Sequence, residues 1–367
     1  MQRPTLAITM GDPAGVGPET IVGAWAERRL HEDARLLVVG NAAVLRRAGA
    51  LLETPLEVVE IGRVEEARPN PREIPCLVAG SHEAEAVEPG QVSAAAGQAA
   101  YDAVAVAAQL ACTGQIDAMV TAPLNKEALN LAGCSVPGHT ELLAELCDVE
   151  RTAMMLFLPP QVASVGPAGL GVVHVTLHTA LAEVPAQIRR QAVVDRIELA
   201  DGALRWLADD LEDFVPRIGV AALNPHAGES GLFGDEELRE IAPAVAEAQQ
   251  AGYQVEGPLP ADTLMVRAAA GEFDAVVAMF HDQGHIALKL LDMDRAVNIT
   301  LGLPIVRTSV AHGTAFDLAW QGRASTSSMT EAIQTARRLA CARGRGAGHA
   351  LTSVAASTRF QSDATQG

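Results

Sequence analysis

Short apolar runs alternate along this chain with longer stretches of helical periodicity, and that alternation limits the folds open to it. The runs are Thr5 to Met10, Leu36 to Val39, Ala118 to Val120, Met154 to Leu158, Gly171 to Val175, Ile218 to Leu223 and Asp274 to Met279. Each has the length of a strand rather than a helix, and continuous apolar character marks strands covered on both faces. Between them Gly17 to Leu30, Gln91 to Cys112, Gln187 to Leu207, Asp235 to Ala251 and Met329 to Cys341 predict helices, the first with Pro18 in its opening turn. The expected class is α/β, a largely parallel sheet with helices on its faces. Pro69 to Pro75 reads as a proline-rich loop, and Arg343 to Gly367 as a poorly ordered tail.

Composition narrows the partners. With 367 residues, 49% hydrophobic and 3% aromatic, the chain can bury a large aliphatic core and form two domains. A formal net charge of -18 argues against nucleic acid, because phosphate backbones are held by clustered Lys and Arg. Cys76, Cys112, Cys134, Cys147 and Cys341 are scattered and odd in number, which suits reduced thiols in a cytoplasm. The amino terminus lacks the layout of a signal peptide, and no run approaches membrane-spanning length.

Three of the strand-like runs end on histidine: at His178, at Asn224-Pro225-His226, and at Phe280-His281-Asp282-Gln283-Gly284-His285. Reactive loops of α/β enzymes sit at strand ends, and three neutral imidazoles can converge on one divalent metal. Taken singly, each histidine is as well explained by partial burial in a core. Met10 to Glu19 follows the first strand and opens a helix, so its backbone N–H groups can face an anion, yet its spacing is neither G-x-G-x-x-G nor a P-loop. A tight strand-to-helix turn is the simpler account. Gly344 to Gly348 follows a helix and carries no weight as a nucleotide loop.

Seven segments, in this order, resemble one family. They are Gly11 to Glu19, Thr121 to Lys126, Gly138 to Glu141, Asn224 to Glu229, Gly257 to Thr263, His281 to Gly284 and Val297 to Pro304. The family is the 4-hydroxythreonine-4-phosphate dehydrogenases, with catabolic relatives acting on four-carbon sugar-acid phosphates, and the resemblance runs from about Leu6 to about Ala340. It implies two α/β/α domains with a cleft between them, isopropylmalate-dehydrogenase-like and without a Rossmann fingerprint. Residues 1–125 with 295–342 would form the first domain, and 126–294 the second, carrying the metal ligands and dimer contacts. The resemblance also implies NAD as cofactor, with NADP as the other option, one divalent metal per site, and a homodimer with its site between subunits. Zinc, magnesium, cobalt and nickel are not told apart.

By the same resemblance the metal ligands fall on His178, His226 and His281, and the phosphate and substrate contacts on His139, Thr140, Lys289, Asn298 and Arg307. Asp262 and Lys289 fall near the reacting groups as catalytic residues; no residues are assigned to the nicotinamide. Two fixed cations, two neutral hydrogen-bonding groups and an imidazole suit a phosphate. On composition alone Lys289 and Arg307 would be solvated surface charges, Thr140 the cap of a helix from Glu141 to Cys147, and Asp262 another helix cap. Asp12, Glu19 and Lys126 lie in the shared segments without an assigned role.

The implied reaction oxidises the 3-hydroxyl of a four-carbon acid 4-phosphate and releases carbon dioxide. 4-Hydroxythreonine 4-phosphate is the first reading, giving 3-amino-2-oxopropyl phosphate. Threonate or erythronate 4-phosphate, giving dihydroxyacetone phosphate, is the alternative. Departures from the family pattern bear on that choice: His285 stands where an apolar residue is expected, Ala311 where an acidic one is, and Pro159 to Gly169 looks like an added loop. A metal-dependent hydrolase or aldolase, a phosphate-binding protein without activity, and a dehydrogenase of dihydrodiol dicarboxylates are the competing readings.

Overall fold

The computed structural model describes residues 3–136, 138–160 and 165–345. Its strands in chain order are β1 (Thr5–Thr9), β2 (Arg35–Gly40), β3 (Glu57–Ile61), β4 (Glu73–Val78), β5 (Ala118–Thr121), β6 (Ala153–Leu158), β7 (Leu170–His174), β8 (Ile218–Ala221), β9 (Val255–Leu259), β10 (Ala275–Ala278), β11 (Val297–Leu301) and β12 (Val306–Val310). They form one sheet in the order β3-β4-β2-β1-β5-β12-β11-β6-β7-β10-β8-β9. Pairing is parallel from β3 to β12 and from β7 to β9, and antiparallel at β12–β11, β11–β6 and β6–β7. Three successive reversals leave the two parallel halves running in opposite directions. Residues 1–125 and 295–342 supply the strands from β3 to β11, and residues 126–294 those from β6 to β9.

Two of the three reversals follow from short connections. Strands β11 and β12 are joined by Gly302 to Ile305, and β6 and β7 by residues 159–169, the stretch expected as an added loop, of which 161–164 lie outside the described residues. Such links permit hairpins but not crossovers. Strands β1, β2, β5, β6, β7, β8 and β10 are buried along almost their whole length, as their continuous apolar runs require.

Several expectations need correction. The proline-rich loop gives way at Glu73 to β4, whose pairing with β2 is confined to Cys76–Val78 and so keeps Pro75 out of that ladder. The helix from Gly17 to Leu30 is two, Gly17–Trp25 and Arg28–Glu32. The break is tertiary: the Trp25 indole N–H donates to the carbonyls of Asn70 and Glu73, and extended Glu27 accepts from the Thr330 hydroxyl at 2.9 Å. The expected helix from Asp235 contains a wide π turn over Glu237–Ile241 before Ala242–Gln250, because Pro243 has no N–H to give the preceding turn. The last helix is Ser327–Gly344, so it runs into the segment expected as tail; residues 346–367 lie outside the described ones.

Lys126–Leu131 and His139–Leu146 pack on the long helix Ala94–Cys112. A Cβ on Gly97 would lie 1.9 Å from the Ala128 carbonyl oxygen, so the helices touch backbone to backbone. Leu142 and Leu143 join the cluster of Ala103, Ala107 and Met119 on that half of the sheet.

The segment Gly11 to Gly17 is a closed turn. The N–H groups of Asp12, Gly15 and Val16 donate to Pro123, Asp12 and Thr314 carbonyls. Asp12 is fully buried, accepting from the Ala14 N–H through Oδ1, while Oδ2 has no partner. Burial pushes its carboxyl up to about 6, against the Ala14 hydrogen bond, which lowers it. A folded-state value above the unfolded one means that the native protein holds the extra proton, so stability falls as pH rises from about 4 through about 6. Asp12→Asn is therefore expected to gain on the wild type over that interval, by up to about 3 kcal/mol, with the difference level above pH 7. Thermal unfolding from pH 4 to 8 checks this; a constant difference in midpoint would contradict it.

Candidate active site

Strand register builds the floor of the site. Asn298 lies opposite Ser309 on one side and Leu156 on the other, while Thr300 lies opposite Met154. Directly opposed residues share a face, and alternation puts Asn298 and Thr300 of β11 beside Arg307 and Ser309 of β12. A cavity of about 250 Å³ stands over this face. Its walls include Thr121, Lys126, His139, Thr140, Glu141, His178, His281, His285 and Ala311.

Arg307 is 2% exposed in the middle of the sheet. Its Nη1 donates to Thr300 Oγ1 at 2.8 Å, and Nε and Nη2 to Thr121 Oγ1 at 3.2 and 2.6 Å. Among the described residues no carboxylate lies within ion-pair distance of it. Burial pulls the guanidinium down to about 9, with Glu141 acting in the opposite sense from further off. His139, in the first turn of His139–Leu146, is held well below the usual imidazole value by burial and then by the Arg307 charge. His139 Nε2 and Asn298 Oδ1 are buried without a hydrogen-bond partner. Buried polar atoms rarely stay unmatched: Asn298 Oδ1 can accept from a ligand donor, His139 Nε2 can donate or accept by tautomer, and the Arg307 charge suits a negative group.

The opposite wall is imidazole. His281 opens the helix His281–Asp292, and Gln283 fixes that end: its Oε1 accepts from the Met279 N–H and its Nε2 donates to the Ala222 carbonyl, each at 2.7 Å. A Cβ on Gly284 would sit 2.5 Å from His174 Nε2, so glycine lets the helix lie against β7. His285 stacks on His281 with centroids 3.8 Å apart and 9° between planes, and its Nδ1 is 3.1 Å from His174 Nε2. Burial, then the neighbouring imidazoles, pulls His174 down to about 3 and His285 to about 4, so both are neutral near pH 7. His178 is lowered by burial and then by Lys126.

Of the expected metal ligands, His178 and His281 face one another with centroids 6.1 Å apart. Two imidazoles bound to one ion at about 2.0–2.1 Å with a tetrahedral angle have centroids roughly 5 Å apart, so this pair would have to close by about 1 Å to share a divalent ion. His226 does not line the cavity; it is exposed, near Phe233, in a left-handed stretch where His226, Ala227, Glu229 and Ser230 all have φ between 44 and 57°. Among the described residues no three His, Cys, Asp or Glu side chains gather closely enough to hold an ion. His139, Thr140, Asn298 and Arg307 line the cavity as expected; Lys289 and Asp262 do not. Lys289 lies two turns along the helix from His281, and Asp262 is exposed in the first turn of Ala261–Ala269, where its charge suits the helix dipole. His174 escaped the sequence reading although it lies four residues before His178 in a run otherwise apolar. Arg307, which composition alone would leave as a surface charge, is buried in the sheet.

The family model described as pyridoxal phosphate biosynthetic protein PdxA matches residues 32–336. A D-threonate 4-phosphate dehydrogenase of Salmonella typhimurium is 48% identical over 93% of this chain and 100% of its own length. A 4-hydroxythreonine-4-phosphate dehydrogenase of Geobacter metallireducens is 47% identical over 94% of this chain and 98% of its own. Among solved structures, the 4-hydroxythreonine-4-phosphate dehydrogenase of Klebsiella pneumoniae superposes with a TM-score of 0.80 at 44% identity, covering 92% of this chain and 98% of the other.

The guanidinium buried without a carboxylate generates a prediction. Arg307→Met keeps the volume and removes the charge, so inorganic phosphate should bind about ten- to a hundredfold more weakly, the worth of a charge-assisted hydrogen bond. The unfolding midpoint should hold or rise, because an uncompensated buried charge is removed. Calorimetric titration with phosphate and a thermal melt check both; unchanged phosphate affinity would place the anion elsewhere.

Proposed function

Because the chain belongs to the pyridoxal phosphate biosynthetic protein PdxA family, we propose that it is a nicotinamide-dependent, metal-assisted dehydrogenase of a four-carbon 3-hydroxy acid 4-phosphate. The buried Arg307, facing unmatched polar atoms of His139 and Asn298, carries the reading. The 4-phosphate lies on Arg307, His139, Thr140 and Asn298, which places C3 and the carboxylate toward His178 and His281. Lys126, in the same wall, adds positive charge for the carboxylate. A divalent ion held by His178 and His281 supplies electrophilic polarisation of the hydroxyl and carboxylate. NAD is the proposed hydride acceptor; Lys289, on the face of the helix that carries His281 and His285, is the candidate for proton transfer, and Asp262 is a more distant second. Shielding by the imidazole wall keeps the keto acid formed by oxidation away from water until carbon dioxide leaves.

The lining favours a 2-hydroxyl over a 2-ammonium. Glu141 is the one carboxylate among the lining residues, against the two fixed cations Lys126 and Arg307. An ammonium group would be poorly matched there, so threonate or erythronate 4-phosphate is the preferred substrate over 4-hydroxythreonine 4-phosphate. The ratio of kcat/KM for the 2-hydroxy and 2-amino acids tests this, with a value above about ten expected from the charge mismatch. A ratio below one would return the protein to the 2-amino substrate.

His226 points to the assembly. The helices Ala261–Ala269 and His281–Asp292 expose Val266, Ile286, Leu290 and Met293, between 50 and 81% accessible, a face that a second copy of this chain would cover. In such a homodimer His226 of one copy completes the ligand pair of the other, and the two halves of the sheet act as the two domains, meeting at β11–β6. The contacts of Lys126–Leu131 and His139–Leu146 with Ala94–Cys112 support a division nearer residue 150 than 125. Mixing inactive His226→Ala with inactive His281→Ala subunits should restore about a quarter of the activity through one intact site per mixed dimer. No recovery after subunit exchange is shown by native mass spectrometry would mean that all three ligands come from one chain.

A further inference from the structure

Two of the five cysteines, 35 residues apart in sequence, meet at the C-terminal ends of two helices. Cys112 is the last residue of Ala94–Cys112, and Cys147 caps His139–Leu146. Their sulfurs are 3.7 Å apart, one thiol donating to the other, with Cys112 exposed and Cys147 partly so. Burial, then its neighbour, pushes the Cys147 thiol up to about 12, and Cys112 is the exposed member of the pair, the sulfur that a small oxidant reaches first. The remaining three thiols have no such partner among the described residues.

The helix capped by Cys147 is also the one that brings His139, Thr140 and Glu141 to the cavity. Its hold on the protein is narrow: Leu142 and Leu143 are its two buried residues. At eight residues it is about 12 Å long, little more than two turns, so a displacement of its C-terminal end would be passed to its N-terminal end, where His139 stands near Arg307.

We propose that Cys112 and Cys147 form a peroxide-sensitive disulfide that displaces the helix His139–Leu146 and so weakens the site. The Cys112 thiolate attacks one peroxide oxygen, breaking the O–O bond, releasing hydroxide and leaving a sulfenic acid. The Cys147 sulfur then attacks the Cys112 sulfur; the S–S bond forms, the S–O bond breaks, and the oxygen leaves as water with the Cys147 proton. Two thiols are oxidised by two electrons and one peroxide is reduced to two waters. The sulfurs close from 3.7 Å to a bond of about 2.05 Å, pulling the helix end toward Ala94–Cys112.

The consequence for turnover rests on the function proposed above; the disulfide and the helix shift do not. Reduced full-length protein is treated with hydrogen peroxide and mapped by non-reducing peptide mass spectrometry, with hydrogen exchange over residues 138–149 and kcat/KM for threonate 4-phosphate read in parallel. The expected result is a Cys112–Cys147 linked peptide two hydrogens lighter than its parts. Exchange in that segment should slow about fivefold as the tether suppresses local opening. Turnover should fall at least about tenfold through misplacement of His139 and Thr140, and recover with dithiothreitol. Cys112→Ser and Cys147→Ser, each active when reduced, should lose the sensitivity. Absence of the linked peptide, or its formation with unchanged exchange, overturns the proposal. If the reduced protein does not turn over the substrate, the functional reading fails while mass and exchange still decide the switch.

Discussion

Everything at the centre of this protein is arranged around a guanidinium that the fold buries without a carboxylate. Arg307 sits on β12 and donates three hydrogen bonds, and the hydroxyls that receive them, Thr121 and Thr300, come from the strands on either side. Neutral acceptors satisfy hydrogen-bond geometry but leave the charge unbalanced, and burial lowers the group to about 9. Such a charge is costly to folding unless something outside the chain shares it. An anion over the sheet would do so, and the unmatched atoms of His139 and Asn298 stand beside the place it would occupy.

Topology decides why that charge has a cavity above it. A parallel sheet built throughout by crossovers would cover both faces with helices at every strand. Here β11 and β6 run antiparallel to their neighbours and reverse the direction of the sheet between its halves. The helices following one half and those following the other approach the central strands from different ends. His139–Leu146 brings its first turn to one side of the gap, and His281–Asp292 brings its first turn to the other. The anion wall and the imidazole wall are thus the beginnings of two helices that share a floor.

The imidazole wall is held by packing more than by charge. Gln283 ties the helix start to β10 and to the chain after β8, Gly284 permits contact with β7, and His174 fixes His285 from below. Polar residues in a dry setting restrict geometry because each has few alternatives. His226 is outside this arrangement, in a left-handed stretch unfavourable for non-glycine residues. Strain of that kind persists where surrounding structure or a partner over-determines it.

The alternation of apolar runs and helical stretches was enough, by itself, to determine an α/β fold with buried strands, because hydrophobic period and length reflect local geometry. The family resemblance that the seven segments carry pointed to His139, Thr140, His178, Asn298, His281 and Arg307, which line the cavity, and equally to His226, Lys289 and Asp262, which do not. What the chain did not reveal locally were the strands rich in charge, proline or hydroxyl groups. β3, at the sheet edge, and β4 beside it mix glutamates and Pro75 with their apolar residues, while β11 and β12 carry Asn298, Thr300, Arg307 and Ser309 on one face and so fail an apolar test. Only the tertiary structure decided that Arg307 is core rather than surface, that His174 and His285 pair, that His226 stands apart and that Cys112 meets Cys147. Those outcomes depend on which strands become neighbours and in which direction. Register is set by contacts between residues far apart in sequence, so no local pattern contains it.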